Sequence, residues 1–600
     1  MSTQARTLTT ARRIAALTLP YFRSEQRWQA LSLLAAIVAL NLGAVYMLVQ
    51  INDWNRLFYD ALQNKDSAVF WEQLIRFGWL AVIYIVIAVY RFYLTQLLEM
   101  RWRAWMTTHY LSRWLGAQVF HRMELLRFTR ETHGGSPDNP DQRIQEDLNL
   151  FTATSVSLSM GLLNAVVTLL SFVGILWGLS GSWTFDLGGQ AFDIPGFMVW
   201  AAVFYCLAGS VITHYVGRAQ IGLNFRQQRL EADFRHHLVR VREYSEAIAL
   251  DRGAPVEQRH LVRRFGDVLA NYLQLLGAQK RLAWFTSFFA QAALVFPFIV
   301  AAPRFFSGAI QLGELMQIAS AFSRVQESLA WFVDSYSSLA SWRATADRLT
   351  SFEEALALGE AQHGGESTQA VAANDVALQT QGLALKLPQG APLLAPMSLQ
   401  VAAGDTVMLD GPSGSGKSSV FRGFAGIWPF MQGRIERAAD FDHSAMFLPQ
   451  RPYLPAGSLR EALAYPGDAA MYSDAQLAQA LADAQLPALA ARLDEQANWS
   501  QVLSGGEQQR LAIARVLLRK PRWVFADEAT SALDEPTQQR VYQALLAQVK
   551  AAHGALVSIS HSPVVAALHA RRWTVVPGGP QGAVVSVAGP RDAQSTTSTH

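Results

Sequence analysis

A glycine-rich segment in the second half of the chain has the residue types needed to hold phosphate groups. It contains Gly411, Pro412, Ser413, Gly414, Ser415, Gly416, Lys417, Ser418 and Ser419. Glycines let backbone N–H groups approach phosphate oxygens, and the start of a helix adds partial positive charge. The preceding residues 405–410 have strand character and a helical pattern follows, which is the context that G-x-x-x-x-G-K-S requires. We therefore expect Lys417 to bridge two phosphates of ATP and Ser418 to bind Mg²⁺.

Two adjacent carboxylates, Asp527 and Glu528, follow an apolar run at residues 523–526. Asp527 suits a magnesium ion held through its water shell, and Glu528 suits polarisation of a water that attacks the terminal phosphate. An acidic pair that caps a helix is the alternative interpretation. Because strand, acids and phosphate loop occur together, we favour ATP hydrolysis.

The peptide QVLSGGEQQR at residues 501–510 places Ser504, Gly505 and Gly506 at the start of a predicted helix. Their hydroxyl and N–H groups would form an anion site there. With the motifs above, the peptide resembles the signature of the ABC ATPases. The resemblance implies that Ser504 contacts the γ-phosphate of an ATP held by a second subunit, so two copies would complete each site.

Three further residues match the ABC pattern in order. Gln450 in FLPQRPYL resembles the Q-loop residue, which senses magnesium and the membrane domain. Asp534 resembles the D-loop residue, and His561 in SISHS resembles the switch histidine that holds the γ-phosphate and the attacking water. A lone histidine after a strand is usually structural, so the role of His561 depends on this resemblance.

The chain departs from the common ABC pattern in one respect, since residues 377–419 contain no Phe, Tyr or Trp to stack on adenine. Stacking on an aromatic ring contributes about 0.5–1.5 kcal/mol. We expect the base to rest on aliphatic groups near Leu387, Pro388 or Leu393, with weaker discrimination between bases and with hydrolysis retained.

Composition indicates a membrane protein with a soluble part. The 600 residues exceed the size of a single core, 51% are hydrophobic, 16% are charged and the mean hydropathy is +0.12. A net charge of +3 gives no support to nucleic-acid binding. With Cys206 as the single cysteine, intrachain disulfides and thiolate metal clusters are excluded.

Six stretches of about 20 mostly apolar residues are long enough to cross a bilayer. The sixth is the least apolar. They begin near Trp28, Leu74, Ser155, Pro195, Trp284 and Gly313.

The distribution of basic residues predicts the orientation of these spans. The N-terminal segment and the connections at residues 99–150 and 218–281 contain 24 Lys and Arg, whereas the alternate connections contain three. By the positive-inside rule, both chain ends and both long connections are cytoplasmic. These connections are rich in helix formers, so we expect them to extend the membrane helices into the cytoplasm.

The first 24 residues contain four arginines and no acid, a pattern that superficially resembles an organellar transit peptide. The alternative is a cytoplasmic anchor in front of a retained membrane span. We favour the anchor, because the apolar run that follows is long enough to span the membrane.

The sequence predicts five segments. These are a cytoplasmic N-terminal segment (1–27), an all-α membrane domain of six helices (28–350), a linker (351–373), an α/β ATP-binding domain of the P-loop NTPase type (374–591) and a disordered tail (592–600). The small polar residues 356–373 are typical of a linker.

The membrane half carries a second resemblance. The peptides NDWNR at residues 52–56, FYDAL at 58–62 and DNPDQRI at 138–144 resemble SbmA/BacA-type peptide and cobalamin transporters fused to an ATPase, a group similar to peroxisomal fatty-acyl transporters. Their resemblance implies the type IV exporter-like fold. From the residues alone, Asn139, Pro140 and Gln142 also form a sound helix start, whereas Arg143 is unexplained by capping.

Two further segments are candidates for a role in transport. Residues 242–249 (REYSEAIA) resemble a coupling segment that docks on the ATPase, with a solvated amphipathic helix as the alternative. In the sixth span, Arg324, Glu327 and Asp334 lie near Ser323, Gln326 and Ser337. Because charges inside a membrane are costly, we expect this face to line a hydrophilic pathway, or Arg324 and Glu327 simply to pair.

These patterns together predict an ATP-driven half transporter in the bacterial inner membrane. It would act as a homodimer in contact with membrane lipid and move a polar or peptide-like solute by alternating access. The alternatives are a fatty-acyl or lipid transporter and, in a different class, a nucleotide-gated channel or regulator. Glu528 and His561 argue against the last, because a regulator does not need a hydrolytic base.

Overall fold

A computed structural model describes residues 3–126, 128–129, 139–180, 182–187, 190–361, 368–370, 375–578 and 582–588. The chain forms two compact units. The helical unit contains Met1–Tyr110 and Asn139–Thr350, and the α/β unit contains Leu111–Asp138 and Ser351–His600. The predicted tail at 592–600 and residues 362–367 and 371–373 of the predicted linker lie outside the described residues.

Eleven α-helices and one hairpin precede residue 362 in the described part of the chain. The helices are α1 Thr3–Arg23, α2 Arg27–Gln63, α3 Ser67–Leu115, α4 Val119–Leu126, α5 Pro140–Gln142, α6 Leu148–Ser180, α7 Phe197–Glu243, α8 Ser245–Leu250, α9 Ala254–Phe306, α10 Leu312–Asp334 and α11 Tyr336–Ala361. The antiparallel hairpin β1 Ser182–Leu187 and β2 Gln190–Pro195 joins α6 to α7.

Five helical stretches in the described residues are long and apolar enough to cross a membrane. They are Arg27–Gln63, Ser67–Leu126, Pro140–Ser180, Phe197–Glu243 and Ala254–Phe306. With 47 and 53 residues, α7 and α9 reach about 70–80 Å, more than twice the hydrocarbon thickness. The predicted extension of membrane helices beyond the bilayer is confirmed for these two helices.

The predicted sixth span forms a helix, α10, but is not among those five. Its apolar face is fully enclosed: Phe322 and Val325 are 0% exposed and pack with Phe172 and Leu176 of α6. Because neighbouring helices cover this face, α10 can carry more polar residues than a lipid-facing span. The helix ends at Asp334, so Ser337, predicted within this span, lies on α11 instead.

Helix α1 packs into the helical unit. Tyr21 is fully buried and stacks on Trp102 of α3, with ring centroids 6.0 Å apart. Leu17 is buried as well. The anchoring role of the N-terminal segment stays a prediction.

The predicted linker start at residue 351 is wrong, because α11 continues to Ala361. Phe352 and Leu356 are fully buried one turn apart, so this stretch has the apolar face of a packed helix. Gly359, which indicated a linker, has a packing role: a Cβ atom there would lie 2.9 Å from Val119 of α4. The helix is also bound through Arg113, whose guanidinium contacts Glu353 and Glu360.

The strands of the α/β unit confirm the predicted fold class. Its strands are β3 Thr368–Ala370, β4 Val376–Lys386, β5 Pro392–Met397, β6 Gln400–Ala402, β7 Thr406–Asp410, β8 Met431–Arg437, β9 Ala445–Leu448, β10 Gly457–Ser458, β11 Gln496–Ala497, β12 Trp523–Asp527, β13 Ala555–Ile559, β14 Arg571–Val576 and β15 Val584–Ala588. The order of the main sheet is β15-β14-β7-β13-β12-β9, parallel except for β15. A second sheet has the order β3-β8-β4-β5, with β6 paired to β4.

Some helices cover the main sheet, and others form a separate small cluster. They are α12 Lys417–Phe424, α13 Phe441–Ser444, α14 Leu459–Ala464, α15 Asp474–Asp483, α16 Trp499–Val502, α17 Gly505–Arg519, α18 Glu535–Ala551 and α19 Pro563–Ala567. One core contains Phe424, Phe525 and Trp573 between the two sheets and α12. A second apolar core surrounds Trp499 and joins α14, α15 and α17.

Candidate nucleotide site

The main sheet brings four predicted segments to one edge. The phosphate loop follows β7, Gln450 follows β9, Glu528 follows β12 and His561 follows β13. These four strands are parallel and adjacent, so their carboxyl ends lie side by side. In open α/β sheets, ligands bind at this edge.

The phosphate loop adopts a conformation that depends on glycine. Gly416, which precedes α12, has φ of +96°, and a Cβ atom there would lie 3.1 Å from Leu393. Leu393, one of the aliphatic groups expected to support adenine, is therefore in contact with the loop. The Ser415 Oγ atom is buried and has no hydrogen-bond partner in the described residues, as expected of a group that awaits an anion.

Lys417 is folded back over the phosphate loop. Its Nζ atom donates to the Gly411 and Pro412 carbonyl oxygens at 2.7 and 2.8 Å, and the residue is only 6% exposed. Both carbonyls are weaker acceptors than a phosphate, because hydrogen bonds between ionised groups are stronger. Phosphate oxygens of a bound nucleotide can therefore replace the two carbonyl oxygens as acceptors for the ammonium group.

The predicted magnesium ligands are adjacent in the structure. The Ser418 hydroxyl donates to the Asp527 carboxylate, and both residues line a cavity of about 360 Å³ with Gln450. Burial raises the pKa of Asp527 and the charge of Glu528 adds to this, while Ser418, Arg422 and Lys417 oppose it. A hydroxyl and a carboxylate are the hard oxygen donors that Mg²⁺ prefers, with water and phosphate oxygens completing its shell.

Glu528 contacts the other two predicted catalytic residues, Gln450 and His561. Its Oε2 atom accepts a hydrogen bond from Gln450 Nε2 at 2.7 Å, and its Oε1 atom lies 3.7 Å from His561 Nε2. The backbone of Glu528 is left-handed, with φ of +47°, and its N–H donates to Ile559 at 2.9 Å. Such a conformation costs about 1–3 kcal/mol in a residue other than glycine and is concentrated at functional sites.

Ser504 is the N-cap of α17, as predicted. Its hydroxyl donates to Glu507 at 2.8 Å and accepts from the Glu507 N–H at 3.3 Å, which closes a capping box. Hydrogen bonds from the Ser504 backbone N–H and from its hydroxyl to the carboxylate lower the pKa of Glu507. No hydrogen bond joins Ser504 to residues 411–419 in the described part of the chain.

The remaining predicted nucleotide-binding residues lie at or near the starts of α12, α17 and α18 or in the phosphate loop. Gly505 and Gly506 open α17, and a Cβ atom on Gly506 would lie 3.1 Å from the Ala532 carbonyl oxygen. Asp534 is the N-cap of α18, and the Thr537 hydroxyl lowers its pKa. Ser419 is buried in α12, whereas Ser413 is exposed.

Gln509 is a site residue that the sequence analysis missed. Its side chain is 5% exposed overall, and its Nε2 atom lies 3.3 Å from the Gln450 carbonyl oxygen, 3.4 Å from that of Glu528 and 3.1 Å from Ser531 Oγ. Its Oε1 atom accepts from the Ala532 N–H at 3.0 Å. One side chain thus joins α17 to the segment after β9 and to the segment after β12. The signal available was its place in the signature helix, five residues after Ser504.

The structure explains Arg143 by a buried ion cluster in the helical unit. Asp147, 2% exposed, accepts from Arg143 at 2.6 Å and from two nitrogen atoms of Arg348 at 2.6 and 3.0 Å. Residues Arg143–Asp147 form a π-helical turn. Asn139 is the N-cap and Pro140 begins α5, as predicted, but Asn139 has a left-handed φ of +53° and makes no side-chain cap bond, and Gln142 bonds to Glu146 instead.

The other predicted features of the membrane half have mixed outcomes. Arg324 and Glu327 form the ion pair that was the simpler interpretation, with a 2.9 Å contact. The predicted coupling segment contains the break at Tyr244 between α7 and α8, and Tyr244 is exposed. Its docking partner stays a prediction. The sequence analysis did not assign α4 to the α/β unit, where Leu125 packs against the sheet core.

Comparison with known proteins agrees with both units. The family described as ABC transporter transmembrane region 2 matches residues 17–306, and the family described as ABC transporter matches residues 394–531. The inner membrane ABC transporter ATP-binding protein YddA of Escherichia coli is 32% identical, over 91% of this chain and 94% of its own.

Two further comparisons extend the range of relatives. The lysosomal cobalamin transporter ABCD4 of Homo sapiens is 26% identical, over 90% of this chain and 92% of its own. The solved structure of a bacterial Atm1-family ABC exporter with ATP bound has a TM-score of 0.68 and 18% identity, and covers 94% of this chain and 95% of that one. At this identity the likeness shows the fold alone.

Proposed function

The chain belongs to the ABC transporter family, and from that premise we propose that it works as a homodimer that moves a polar or peptide-like solute across the bacterial inner membrane by alternating access. It is a half transporter, because it has one membrane region and one ATP-binding domain. ATP hydrolysis in this domain is coupled to transport across the membrane. The narrower resemblance to SbmA/BacA transporters remains a prediction.

The contact between Gln450 and Glu528 beside the phosphate loop is the observation that carries the proposal. A carboxylate that orients a nucleophilic water must lie within hydrogen-bond reach of it and near the terminal phosphate. Glu528 lies at the edge of the sheet where the phosphate loop begins, and His561 is close enough to share the same water. This arrangement supports hydrolysis over a purely regulatory use of ATP.

In the proposed cycle, the residues of one copy bind the triphosphate and prepare the water. Lys417 exchanges its loop carbonyls for the β- and γ-phosphate oxygens, and Ser415 donates its unpaired hydroxyl. Gln450 releases Glu528, which then accepts a proton from the water as the water oxygen bonds to the γ-phosphorus and the bond from that phosphorus to the bridging oxygen breaks, which gives ADP and phosphate. His561 donates to the γ-phosphate and stabilises the charge that develops there.

Magnesium suits the residues present. Ser418 and Asp527 would hold it, the latter through water, and the ion would supply charge neutralisation for the phosphate oxygens. Because Asp527 is partly buried beside Glu528, its ionised form is destabilised, and a bound cation would remove that destabilisation.

A second copy supplies the signature group in this proposal. Ser504 makes its hydrogen bonds with Glu507 of its own helix, and none with the phosphate loop of its own chain in the described residues. The exposed start of α17 is therefore available to an ATP bound by another copy.

The identity of the solute and the direction in which it moves are the most specific parts of the proposal. Support for a polar solute comes from Arg324 and Glu327, whose side chains are 38% and 64% exposed on α10. A fatty-acyl or lipid solute is the second candidate, favoured by the apolar character of a cavity between α6 and α11 described below. The positive-inside pattern supports cytoplasmic chain ends.

Reconstituted vesicles test the proposal directly. The purified protein should accumulate labelled cobalamin or a labelled peptide in an ATP-dependent manner, with an acyl-CoA as the competing probe. Glu528→Gln should bind ATP and lose nearly all turnover, because an amide cannot accept the proton. Normal turnover in Glu528→Gln would overturn the assigned base, and ATP-dependent movement of the acyl-CoA alone would favour the second candidate.

A further inference from the structure

The helical unit contains an aromatic cavity that none of the motifs explains. Its volume is about 350 Å³, within the range of small-molecule sites, and it lies between α6 and the α10–α11 junction. Four aromatic side chains line it, with leucines and serines between them. They are Trp331, Phe332, Tyr336 and Trp342.

Two of these rings are fixed before any ligand arrives. The Trp342 Nε1 atom donates to Ser155 Oγ at 2.6 Å, and its ring stacks on Phe151 with an interplanar angle of 4°. The Trp331 indole lies directly over Gly161, where a Cβ atom would come within 2.7 Å of Nε1. A preorganised pocket loses less entropy on binding than one that must form around its ligand.

The cavity has an apolar wall with no charged residue in its lining, and one cationic residue follows on the same helix. On α11, Tyr336 and Leu339 line the cavity, and Arg343 lies one turn beyond Leu339 on the same face. Arg343 is exposed, and no hydrogen bond or ion pair connects it with another described residue. The Arg324–Glu327 pair on α10 neutralises itself. An unpaired guanidinium beside an aromatic wall is complementary to an anion that carries an apolar group.

We propose that this cavity binds an amphipathic organic anion, with its ring-sized apolar group between Trp331 and Trp342 and its anionic group on Arg343. The assignment rests on the proposed ATP-driven transport and narrows its solute to an anion with an apolar group, which is closer to the second candidate than to a purely polar solute. The Ser155 and Ser159 hydroxyls line the same cavity and can form hydrogen bonds with one polar substituent on the ring of the ligand.

Equilibrium binding of three matched probes tests the charge requirement. The probes are 2-naphthoate, 2-naphthalenemethanol and 2-naphthylmethylammonium, which share a ring and differ in charge. The full-length protein in nanodiscs without ATP should bind the naphthoate about tenfold or more tightly than the other two, as expected for a charge-assisted contact. Equal affinity for all three, or preference for the ammonium, would overturn the proposal.

Four variants assign the binding to this cavity. Arg343→Gln should reduce naphthoate affinity about tenfold and leave the neutral probe unaffected. Trp331→Ala and Gly161→Ala should weaken both probes, the second by displacing the indole, and Trp331→Phe should recover most of the affinity. Arg259→Gln and Trp200→Ala, exposed residues of α9 and α7, are the matched controls and should bind as the native protein does.

The outcomes separate this proposal from the transport function. If Arg343→Gln binds naphthoate as tightly as the native protein while ATP-dependent accumulation in vesicles persists, the site is wrong and the transporter assignment stands. If the variants change binding as expected but no solute accumulates with ATP, the site stands and the proposed function fails.

Discussion

Replacement of Gln509 tests whether one buried amide positions the catalytic carboxylate. The side chain joins Gln450, Glu528, Ser531 and Ala532, and Glu528 has a left-handed backbone that costs about 1–3 kcal/mol. We expect Gln509→Ala and the nearly isosteric Gln509→Met to lower kcat for ATP hydrolysis, because neither can hold Glu528 in this conformation.

The magnitude follows from the bonds that are lost. The three contacts of Nε2 are 3.1–3.4 Å long and share one amide, so together they contribute about 1 kcal/mol. The loss of Oε1 leaves the Ala532 N–H without its partner, which costs about 1–3 kcal/mol when buried. A total of about 2–4 kcal/mol, if expressed in the transition state, corresponds to a kcat about 30- to 900-fold lower.

Steady-state ATPase kinetics separate this positioning role from a packing role. We expect kcat to fall and KM for ATP to change little, because Gln509 contacts no residue of the phosphate loop. Gln479→Ala is the matched control, since Gln479 makes an exposed i,i+4 bond to Asp483 at 2.7 Å. A kcat within about twofold of the native value in Gln509→Met would refute the positioning argument, since Met preserves the volume.

Two other residues give independent predictions. Burial raises the pKa of Asp527, so its ionised form destabilises the ATP-free fold above that pKa. Asp527→Asn should therefore raise Tm at pH 7.5, and the difference should vanish as the pH falls and the native carboxyl is protonated. The same variant should lose Mg-ATP hydrolysis. Thermal scans from pH 4 to 8 measure this, and a lower Tm at pH 7.5 would contradict it. Asp147→Asn leaves Arg143 and Arg348 with a neutral partner and should cost about 2–3 kcal/mol, below the fully buried range because Arg348 is 40% exposed. A lower Tm in nanodiscs measures this effect, and an unchanged Tm would show that the cluster is not stabilising.

The nucleotide-binding segments were predictable because each is a local signal. The spacing of Gly411, Gly416 and Lys417 defines a loop between a strand and a helix; β7 begins one residue after the expected strand start and ends at Asp410 as expected, and α12 begins at Lys417. The acidic pair and His561 follow apolar strands, so the rule for parallel sheets places them at one edge. Such inferences need no knowledge of distant contacts.

Features that depend on distant partners were missed or misread. Residues 356–361 resemble a linker in composition, yet Phe352 and Leu356 are buried and Gly359 accommodates Val119 from a segment 240 positions earlier. Asn139 has the right residue type for a cap, but its backbone is left-handed. Gln509 is one of four consecutive polar residues after the signature glycines, and only the folded chain shows which of them is buried.

The central claim is that each ATP site is shared between two copies of the chain. A dimer of one Lys417→Ala copy and one Ser504→Arg copy, purified with two different tags, tests it most directly. If the sites are shared, one site combines both defects and the other is intact, so single-turnover hydrolysis should reach about half of the native level. If Lys417 and Ser504 of one chain act on the same ATP, both sites are defective and the mixed dimer will be as inactive as either variant alone.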